Sequence, residues 1–325
     1  MLIPYSLVEN YGANASLSYG SGNITIPFQN LGTLNNRGLE IDLTYQNKTG
    51  KVAYSLSANA SFIKNKVTYL YGTKADYIGS ILYGRQGLET SRTYEGQPIA
   101  SYYGFKTNGL FQNQGEIDKD ANVANDPNRG SIKPGDVRFV DQNGDGIIDN
   151  NDRVNLGNPN PSAVLGFNGN LSYKNFDFSF SFSGALGFKL YNADRMAGLD
   201  GTQHFNWYAE QLNRWHGEGT SNSIPRLSRI NTNQNNRSSD LWIEKGDYLA
   251  LKNISLGYTI SKLKIGNAQL PVTRIYVSGY NMFFLTGYSG YTPELGYTDG
   301  NKQRGVDVAQ YPAVRTLSVG ATINF

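Results

Sequence analysis

The chain has 325 residues, among them 37 glycines, 23 tyrosines, 15 phenylalanines and 3 methionines, and it contains no cysteine. This composition favours strands and turns over helices, and a chain without cysteine has neither a disulfide framework nor a thiolate metal site. The formal net charge is +3, from 29 basic and 26 acidic residues spread along the chain without a basic cluster, so nucleic acid is not expected as a partner.

The first predicted element is a β-hairpin whose strands are apolar on one face only. In residues 39–46, Leu, Ile, Leu and Tyr alternate with Glu, Asp, Thr and Gln, and in residues 52–62 apolar side chains alternate mainly with serine and asparagine. Strict alternation over this length predicts half-buried strands. The Asn-Lys-Thr-Gly sequence of residues 47–50 predicts the tight turn that joins them.

An aspartate-rich loop, residues 141–152, has the spacing by which one loop can wrap a hard cation. Oxygen-bearing side chains occupy loop positions 1, 3, 5, 9 and 12, and a glycine at position 6 permits the sharp bend. Calcium is therefore the expected ion, and its expected ligands are Asp141, Asn143, Asp145, the backbone carbonyl of Ile147, Asp149 and Asp152.

The residues around these ligands refine the calcium prediction. Ile148, at loop position 8, is expected to anchor the loop to its scaffold. Position 12 is aspartate instead of the bidentate glutamate of helix-loop-helix sites, so we expect weak affinity, roughly 10⁻⁴ to 10⁻³ M. The alternative is a rigid loop of Asx-turns without metal, in which Arg138 and Arg153 offset the aspartates.

Two more hairpins and a last strand repeat the alternating pattern, and long polar segments separate them. The second hairpin returns through four alternating phenylalanines, and the third contains a longer turn. The predicted strands are residues 164–173 and 176–182 around a turn at 174–175, residues 248–260 and 272–285 around a turn within 261–270, and residues 314–325. The predicted long connections are residues 63–98, 112–162, 190–240 and 286–311.

Short turns at one end of the strands and long loops at the other are typical of an outer-membrane β-barrel. A soluble sandwich or jelly roll would also alternate apolar and polar residues. The small, hydroxyl-rich polar face and the aromatic residues near strand ends favour a barrel with a wet lumen, a lipid-facing band and interfacial girdles. No stretch approaches the ~20 apolar residues of a membrane-spanning helix, so any insertion would have to use strands.

The last strand ends in a pattern that resembles the terminal signal read by the outer-membrane barrel assembly machinery. Its expected elements are Gly320, Ile323 and the terminal Phe325, with isoleucine where an aromatic residue is more usual. The alternative is an ordinary last strand that ends in phenylalanine. Outer-membrane lipid and the assembly machinery are accordingly expected partners.

Several segments together resemble the SusC/RagA branch of TonB-dependent outer-membrane transporters. They occur in the right order and cover nearly the whole chain. The segments are Asn-Arg-Gly-Leu-Glu at 36–40, Glu-Gly-Gln-Pro-Ile at 95–99, Tyr-Gly-Phe at 103–105, Pro-Gly-Asp-Val-Arg-Phe at 134–139 running into the aspartate loop, Leu-Gly-Asn-Pro-Asn-Pro at 156–161, residues 166–177, residues 248–258 and the terminal strand.

The resemblance implies an all-β, antiparallel transmembrane barrel of about 22 strands with an amino-terminal plug in its lumen. About ten of these strands can be drawn from this sequence, so residues 1–325 are expected to be the carboxy-terminal part of the barrel, without plug, TonB-binding box or signal peptide. A SusD-like lipoprotein outside and energy from the TonB complex are implied, as are a Gram-negative outer membrane of the Bacteroidota kind and active import of oligosaccharides or peptides.

The residues also bear on other classes of function. No nucleophile elbow, phosphate loop or paired catalytic carboxylate is recognisable, and the isolated His204 and His216 make a poor metal site, so an enzyme is not expected. The alternative function is a secreted or surface β-rich binding or adhesion module stabilised by calcium. A complete small barrel is a third possibility, and it would need an authentic start that the sequence does not show.

Overall fold

The computed structural model describes residues 2–4, 28–30, 32–70, 77–82, 88–202, 206–261, 264–265, 268–269, 271–295 and 304–324. Strands dominate these residues, as the composition predicts. The strands are β1 (Leu2–Pro4), β2 (Phe28–Asn30), β3 (Gly32–Asn47), β4 (Val52–Leu70), β5 (Tyr77–Leu82), β6 (Leu88–Thr93), β7 (Ser101–Gly104), β8 (Thr107–Leu110), β9 (Val137–Phe139), β10 (Val154–Gly157), β11 (Ala163–Tyr173), β12 (Phe176–Leu186), β13 (Lys189–Asn192), β14 (Ile243–Lys245), β15 (Tyr248–Ile260), β16 (Lys264–Ile265), β17 (Ala268–Gln269), β18 (Val272–Thr286), β19 (Val306–Asp307) and β20 (Thr316–Asn324).

The largest sheet, which we call the wall sheet, has seven strands in the order β20-β18-β15-β12-β11-β4-β3. All six pairings are antiparallel, and the two strands of each predicted hairpin are neighbours in the sheet, although the short strands β16 and β17 lie between β15 and β18 in the chain. Within the described residues the two edge strands, β3 and β20, do not pair with each other. The predicted all-β, antiparallel fold of a partial barrel is therefore confirmed, with seven strands in the described wall.

One face of the wall sheet carries exposed apolar side chains, and we call it the outward face. Leu39, Leu43 and Tyr45 on β3 are 60, 66 and 63 % exposed. The opposite, inward face carries hydroxyl and amide groups, such as Thr44, whose hydroxyl donates to Ser57 at 3.3 Å. A soluble sandwich would bury one face against a second layer, whereas this arrangement matches a barrel wall between lipid and a wet lumen.

The first hairpin is longer than its alternation predicts. β3 and β4 extend to Gly32 and Leu70, well beyond residues 39 and 62. Past the end of β11, the loop before β7 continues the pairing, since the Val67 N–H donates to the Gln97 carbonyl at 2.9 Å. The strands leave the apolar band at this point, so the alternation that revealed them ends before the hydrogen bonding does.

The long connections fold into a compact body at one end of the wall sheet, which we call the loop module. It contains strands β6 to β10, β13, β14 and β19, together with two short helices, α1 (Gln114–Lys119) and α2 (Ala193–Leu199). The side chain of Asn113 caps α1 by accepting from the Glu116 N–H at 3.0 Å, and Asn192 caps α2 in the same way. The 3-10 turns are Ala121–Val123, Arg129–Ser131, Asn150–Asp152, Ala209–Asn213 and Asp240–Trp242.

The buried hydrophobic core of the described residues lies in the loop module. One cluster surrounds Tyr102, Tyr191 and Trp242, and a second surrounds Phe111 and Ile117. The residues of these clusters come from connections that are far apart in the sequence. Local periodicity therefore did not predict the clusters. None of the helices in the described stretches is long and apolar enough to cross a membrane.

Candidate functional site

The first half of the aspartate loop closes on itself through its own carboxylates. Both Asp141 oxygens accept backbone N–H groups, those of Gly144 and Gly146 at 2.6 Å each. Gly144 and Gly146 have φ of 81° and 78°, a conformation that glycine adopts without strain. Asn143 and Asp145 bond to each other at 2.9 Å, so three of the predicted calcium ligands lie together.

The second half of the loop is a single 3-10 turn with a reciprocal cap. Asp149 accepts from the Asn151 N–H at 2.7 Å, while Asp152 accepts from the Asp149 N–H at 2.8 Å. The other Asp152 oxygen accepts from the Gln142 N–H at 2.8 Å and so ties the two halves together. Asp152 is fully buried by this bonding, which gives position 12 a structural role in the loop whether or not a metal is bound.

The loop is anchored as its apolar residue predicts. Ile148 is 9 % exposed and packs in the second hydrophobic cluster of the loop module. Asn125 adds two bonds, from its N–H to the Gly146 carbonyl at 3.0 Å and from its side chain to the Asp145 carbonyl at 2.7 Å. The loop is therefore held as a fixed brace on the loop module.

The charge of the loop is not offset by the two arginines named in the metal-free alternative. Arg138 pairs with Asp120 at 2.6 Å, and Arg153 pairs with Glu89 at 2.6 Å. No ion pair to Asp141, Asp145 or Asp149 occurs in the described residues. That part of the alternative is wrong, because each arginine already has a closer carboxylate of its own.

The protonation of Asp141 is set by its surroundings. Burial acts to raise the pKa of this carboxyl, but backbone N–H donors from Gly146, Gly144 and Asn143 outweigh it and hold the pKa below its ordinary value. The group is thus an anion at neutral pH. The described residues contain no group of three or more His, Cys, Asp and Glu side chains arranged to hold a metal ion, so calcium remains a prediction here.

An open cleft of about 1020 Å³ lies where the wall sheet meets the loop module. Polar side chains from both parts line it, including Asn36 and Asn65 from the wall and Gln97 and Asn160 from the module. The Asn65 side chain accepts from the Ile99 N–H at 2.8 Å and donates to Asn36 at 2.6 Å. These amides are held in place by the protein, and the cleft offers them to a polar ligand.

The terminal strand places the predicted assembly signal in the edge strand of the wall. Gly320 lies opposite Tyr276, and a Cβ there would come within 2.5 Å of the tyrosine ring. Ile323 is 50 % exposed on the outward face, and Phe325 lies outside the described residues. The glycine thus has a packing role, while recognition by the assembly machinery stays a prediction.

Two features of the site were not predicted from the sequence. Asp136, fully buried, binds Arg226 at 2.7 Å and so joins segments 90 residues apart. Arg37 and Lys64 lie directly opposite each other on β3 and β4. The alternation, extended by two residues from Leu39 to Arg37 and from Phe62 to Lys64, would have predicted this basic pair. No local pattern indicates the pairing of Asp136 with Arg226. The Nδ1 of His216 donates to the Arg214 carbonyl at 3.0 Å, and His204 lies outside the described residues.

No protein-family model matches the chain. Similar curated proteins are TonB-dependent receptor P3 of Formosa agariphila, 30 % identical over 331 residues, and TonB-dependent receptor P26 of the same organism, 31 % identical over 302 residues. TonB-dependent receptor SusC of Bacteroides thetaiotaomicron is 26 % identical over 310 residues. These alignments cover 100, 91 and 91 % of this chain but 31, 30 and 27 % of the relatives, so the chain spans about a third of their length.

The solved structures agree in fold. The RagAB peptide transporter matches with a TM-score of 0.68 at 19 % identity, over 91 % of this chain and 30 % of that one. The RagAB peptide importer in its open-open state matches with a TM-score of 0.64 at 19 % identity, over 92 and 30 %. The fold is that of a TonB-dependent transporter barrel.

Within that class the chain matches SusC/RagA-like TonB-dependent receptors over about a third of their length, which confirms the family predicted from its motifs. Every relative named above is a receptor, a transporter or an importer by name. The family and the exposed apolar wall together support an outer-membrane location.

Proposed function

We propose that this chain is the carboxy-terminal barrel portion of an outer-membrane transporter that actively imports oligosaccharides or peptides. The observation that carries the proposal is the joint arrangement of wall and module. A sheet with an apolar outward face continues, at its long-loop end, into a packed loop module with a polar cleft between the two. This arrangement suits a lipid-embedded wall with a substrate-collecting mouth above it.

The partners follow from the same proposal. A SusD-like lipoprotein would close over the loop module, and the TonB complex would supply energy through residues outside this chain. SusC and RagAB relatives support this choice of partners. Gram-negative bacteria of the Bacteroidota kind are the proposed setting, in line with the organisms of the curated relatives.

Growth of a deletion strain tests the import. A strain without the full-length receptor is supplied with panels of oligosaccharides and peptides as sole nutrients, with re-expression of the receptor and a TonB-deficient strain as controls. Import predicts growth on at least one nutrient that depends on both the receptor and TonB. Identical growth of all strains on every nutrient would refute the proposal.

The isolated chain is not expected to transport by itself. Its wall has two edge strands that do not pair with each other in the described residues, and unpaired backbone groups are very costly in lipid. Solute uptake by proteoliposomes that contain residues 1–325 alone would contradict this. The same sample discriminates the adhesion-module alternative, which predicts a monomer soluble without detergent.

The aspartate loop is proposed as a calcium-binding brace of the module. Three of its carboxylates lack a cationic partner in the described residues, and Asp141 is anionic at neutral pH. Calcium at millimolar concentration should protect the segment around residues 136–161 from protease, and Asp145→Asn should weaken that protection, whereas Asp118→Asn on α1 should not. Absence of any saturable calcium effect would leave a metal-free brace, without changing the import proposal.

A further inference from the structure

A pair of basic residues lies on the outward face of the wall, next to the apolar band. Arg37 of β3 and Lys64 of β4 are directly opposite each other in the register, and both are exposed. Lys66 follows two residues along β4 on the same face and is also exposed. Residues that lie opposite on one face of an antiparallel pair have Cβ atoms only about 5 Å apart, so three cations share a small area.

The described residues do not neutralise these charges. No carboxylate forms an ion pair with Arg37, Lys64 or Lys66 in the part of the chain that the structure describes. Like charges directly opposite each other destabilise a sheet. A strand pair that keeps two cations in register gains most from an anion bound between them.

The position of Arg37 and Lys64 in the wall indicates the source of that anion. Leu39 and Phe62, which are 60 and 46 % exposed, pair with each other at the end of the apolar band. Arg37 and Lys64 stand two residues further along, about 7 Å past the band. They lie toward the long-loop end, which is the outer end of an outer-membrane barrel, and therefore at the level of the outer-leaflet head groups.

We propose that Arg37, Lys64 and Lys66 bind a phosphate group of a phosphorylated glycolipid in the outer leaflet. The inference rests on the proposed outer-membrane function. The arginine fork takes two phosphate oxygens at once, and the lysine ammonium groups add point charges beside it. The acyl chains of the same lipid lie over Leu39 and Phe62, so one amphipathic molecule satisfies both the charges and the apolar surface.

A free phosphate ion would satisfy the charges but not the apolar residues beside them. The side chain of Phe62, on the same face as Lys64, is nearly half exposed. Basic clusters next to a membrane gain affinity for anionic lipid in proportion to their number of cations. We therefore propose the glycolipid as the ligand. The experiment must distinguish it from free phosphate.

The test uses the full-length receptor purified in detergent and the double variant Arg37→Gln/Lys64→Gln. Binding is measured to lipid A, to the same glycolipid after enzymatic dephosphorylation, and to inorganic phosphate as a competitor. At ~1 kcal/mol for each basic residue at a membrane surface, the double variant should bind lipid A about tenfold or more weakly than the unmodified receptor. Dephosphorylated glycolipid should bind as weakly to both.

The matched control is Lys48→Gln/Lys51→Gln, which removes the same charge at the short-turn end of the same hairpin, where both lysines are exposed. It should bind lipid A like the unmodified receptor. Equal affinity of the Arg37→Gln/Lys64→Gln variant for lipid A, or full competition by phosphate at equal concentration, would overturn the proposal. In the absence of lipid the variant should also melt at a slightly higher temperature, because the repulsion between opposed cations is gone.

This result is separable from the import proposal. Import is scored with the unmodified receptor alone, because Arg37 and Lys64 also border the cleft between the wall sheet and the loop module. Identical growth of the unmodified, receptor-deletion and TonB-deficient strains would refute import and leave the lipid measurement standing. Unchanged lipid binding by the variant would refute the lipid site and leave import standing.

Discussion

The wall sheet and the loop module use apolar residues in opposite ways. In the wall, Leu43 and Val319 are 66 and 78 % exposed, although both are large and apolar. In the module, Tyr102, Ile117 and Met196 are fully buried. The wall thus depends on a surrounding apolar solvent for its stability, whereas the module has a core of its own and folds as a water-soluble body does.

Polar groups differ between the two regions in the same sense. The inward face of the wall pairs small groups with each other, as where the Ser181 hydroxyl donates to Asn168 at 2.7 Å. The module instead buries charged pairs such as Asp136 with Arg226. A buried carboxylate needs a partner because desolvation of a lone charge is costly, and the module supplies one. Substitutions in the wall should therefore act through its contact with lipid. Substitutions in the loop module should act through its buried core.

The largest effect is expected in the module core. Phe111→Ala removes a ring that is 1 % exposed and should destabilise the module by about 3–5 kcal/mol, since a cavity replaces lost contacts. Leu212→Ala, at a site 77 % exposed in the same module, should change stability by less than about 0.5 kcal/mol. Protease sensitivity of the loops on heating, measured on the full-length receptor, checks both. Equal protease sensitivity of the two variants would show that the buried cluster around Phe111 does not stabilise the module.

The next effect is expected in the apolar band on the outward face of the wall. Leu43→Arg places a charge on the outward face and should cost about 2–4 kcal/mol of barrel stability. Thr44→Arg, one residue further on, places the same charge in the lumen and should assemble nearly normally. The amount of folded receptor in the outer membrane is the measurement. If both variants assembled equally well, the assignment of the two faces would be wrong.

A smaller effect is expected at the terminal strand. Gly320→Ala should destabilise the wall by about 1 kcal/mol, because its methyl group displaces the Tyr276 ring. The displaced ring also loses its contact with Arg274, whose guanidinium lies 4.7 Å from the ring centre. Assembly of Gly320→Ala/Tyr276→Ser should return to normal if the glycine serves packing. Persistent failure of the double variant would instead assign the glycine to recognition by the assembly machinery.

The smallest effect is a pH dependence within the module. Burial acts to raise the pKa of Asp120, but hydrogen bonds from Arg138 and from the backbone and side chain of Asn122 together outweigh burial and lower the pKa below its ordinary value. The stabilisation is therefore fully present above about pH 4, the unfolded value, and it is lost as the pH falls through the lower folded value. Hydrogen exchange near α1 should accelerate below that pH, and Asp120→Asn should remove the dependence. An unchanged profile in that variant would contradict the assignment.

The sequence predicted the wall better than the module, for a physical reason. Lipid on one side and water on the other impose a period of two on every strand, so hairpins such as residues 164–173 and 176–182 could be read directly. The alternation stopped being visible at Arg37 and Lys64, where the strands leave the band but continue to pair. The strand ends were therefore predicted too short.

The loop module was not predicted from the sequence because its contacts join distant segments. Tyr102 and Val306 share one cluster, and no window of sequence contains both. The aspartate loop was readable because its bonds are local, between Asp141 and the glycines that follow it. The partners of Arg138 and Arg153 were mistaken for the same reason, since Glu89 lies 64 residues from the arginine that it binds.

The Tyr102 hydroxyl donates to the Gly305 carbonyl at 2.8 Å, across 203 residues of chain. Close by, β13 runs parallel to β19 and aligns Tyr191 with Val306. A contact of this kind cannot form until the last connection has been delivered, because loop closure over such a span must precede it. The segments around Tyr102 and Tyr191 therefore lack these contacts until the segment around Gly305 has joined them, which makes that segment the closing step in forming the module core.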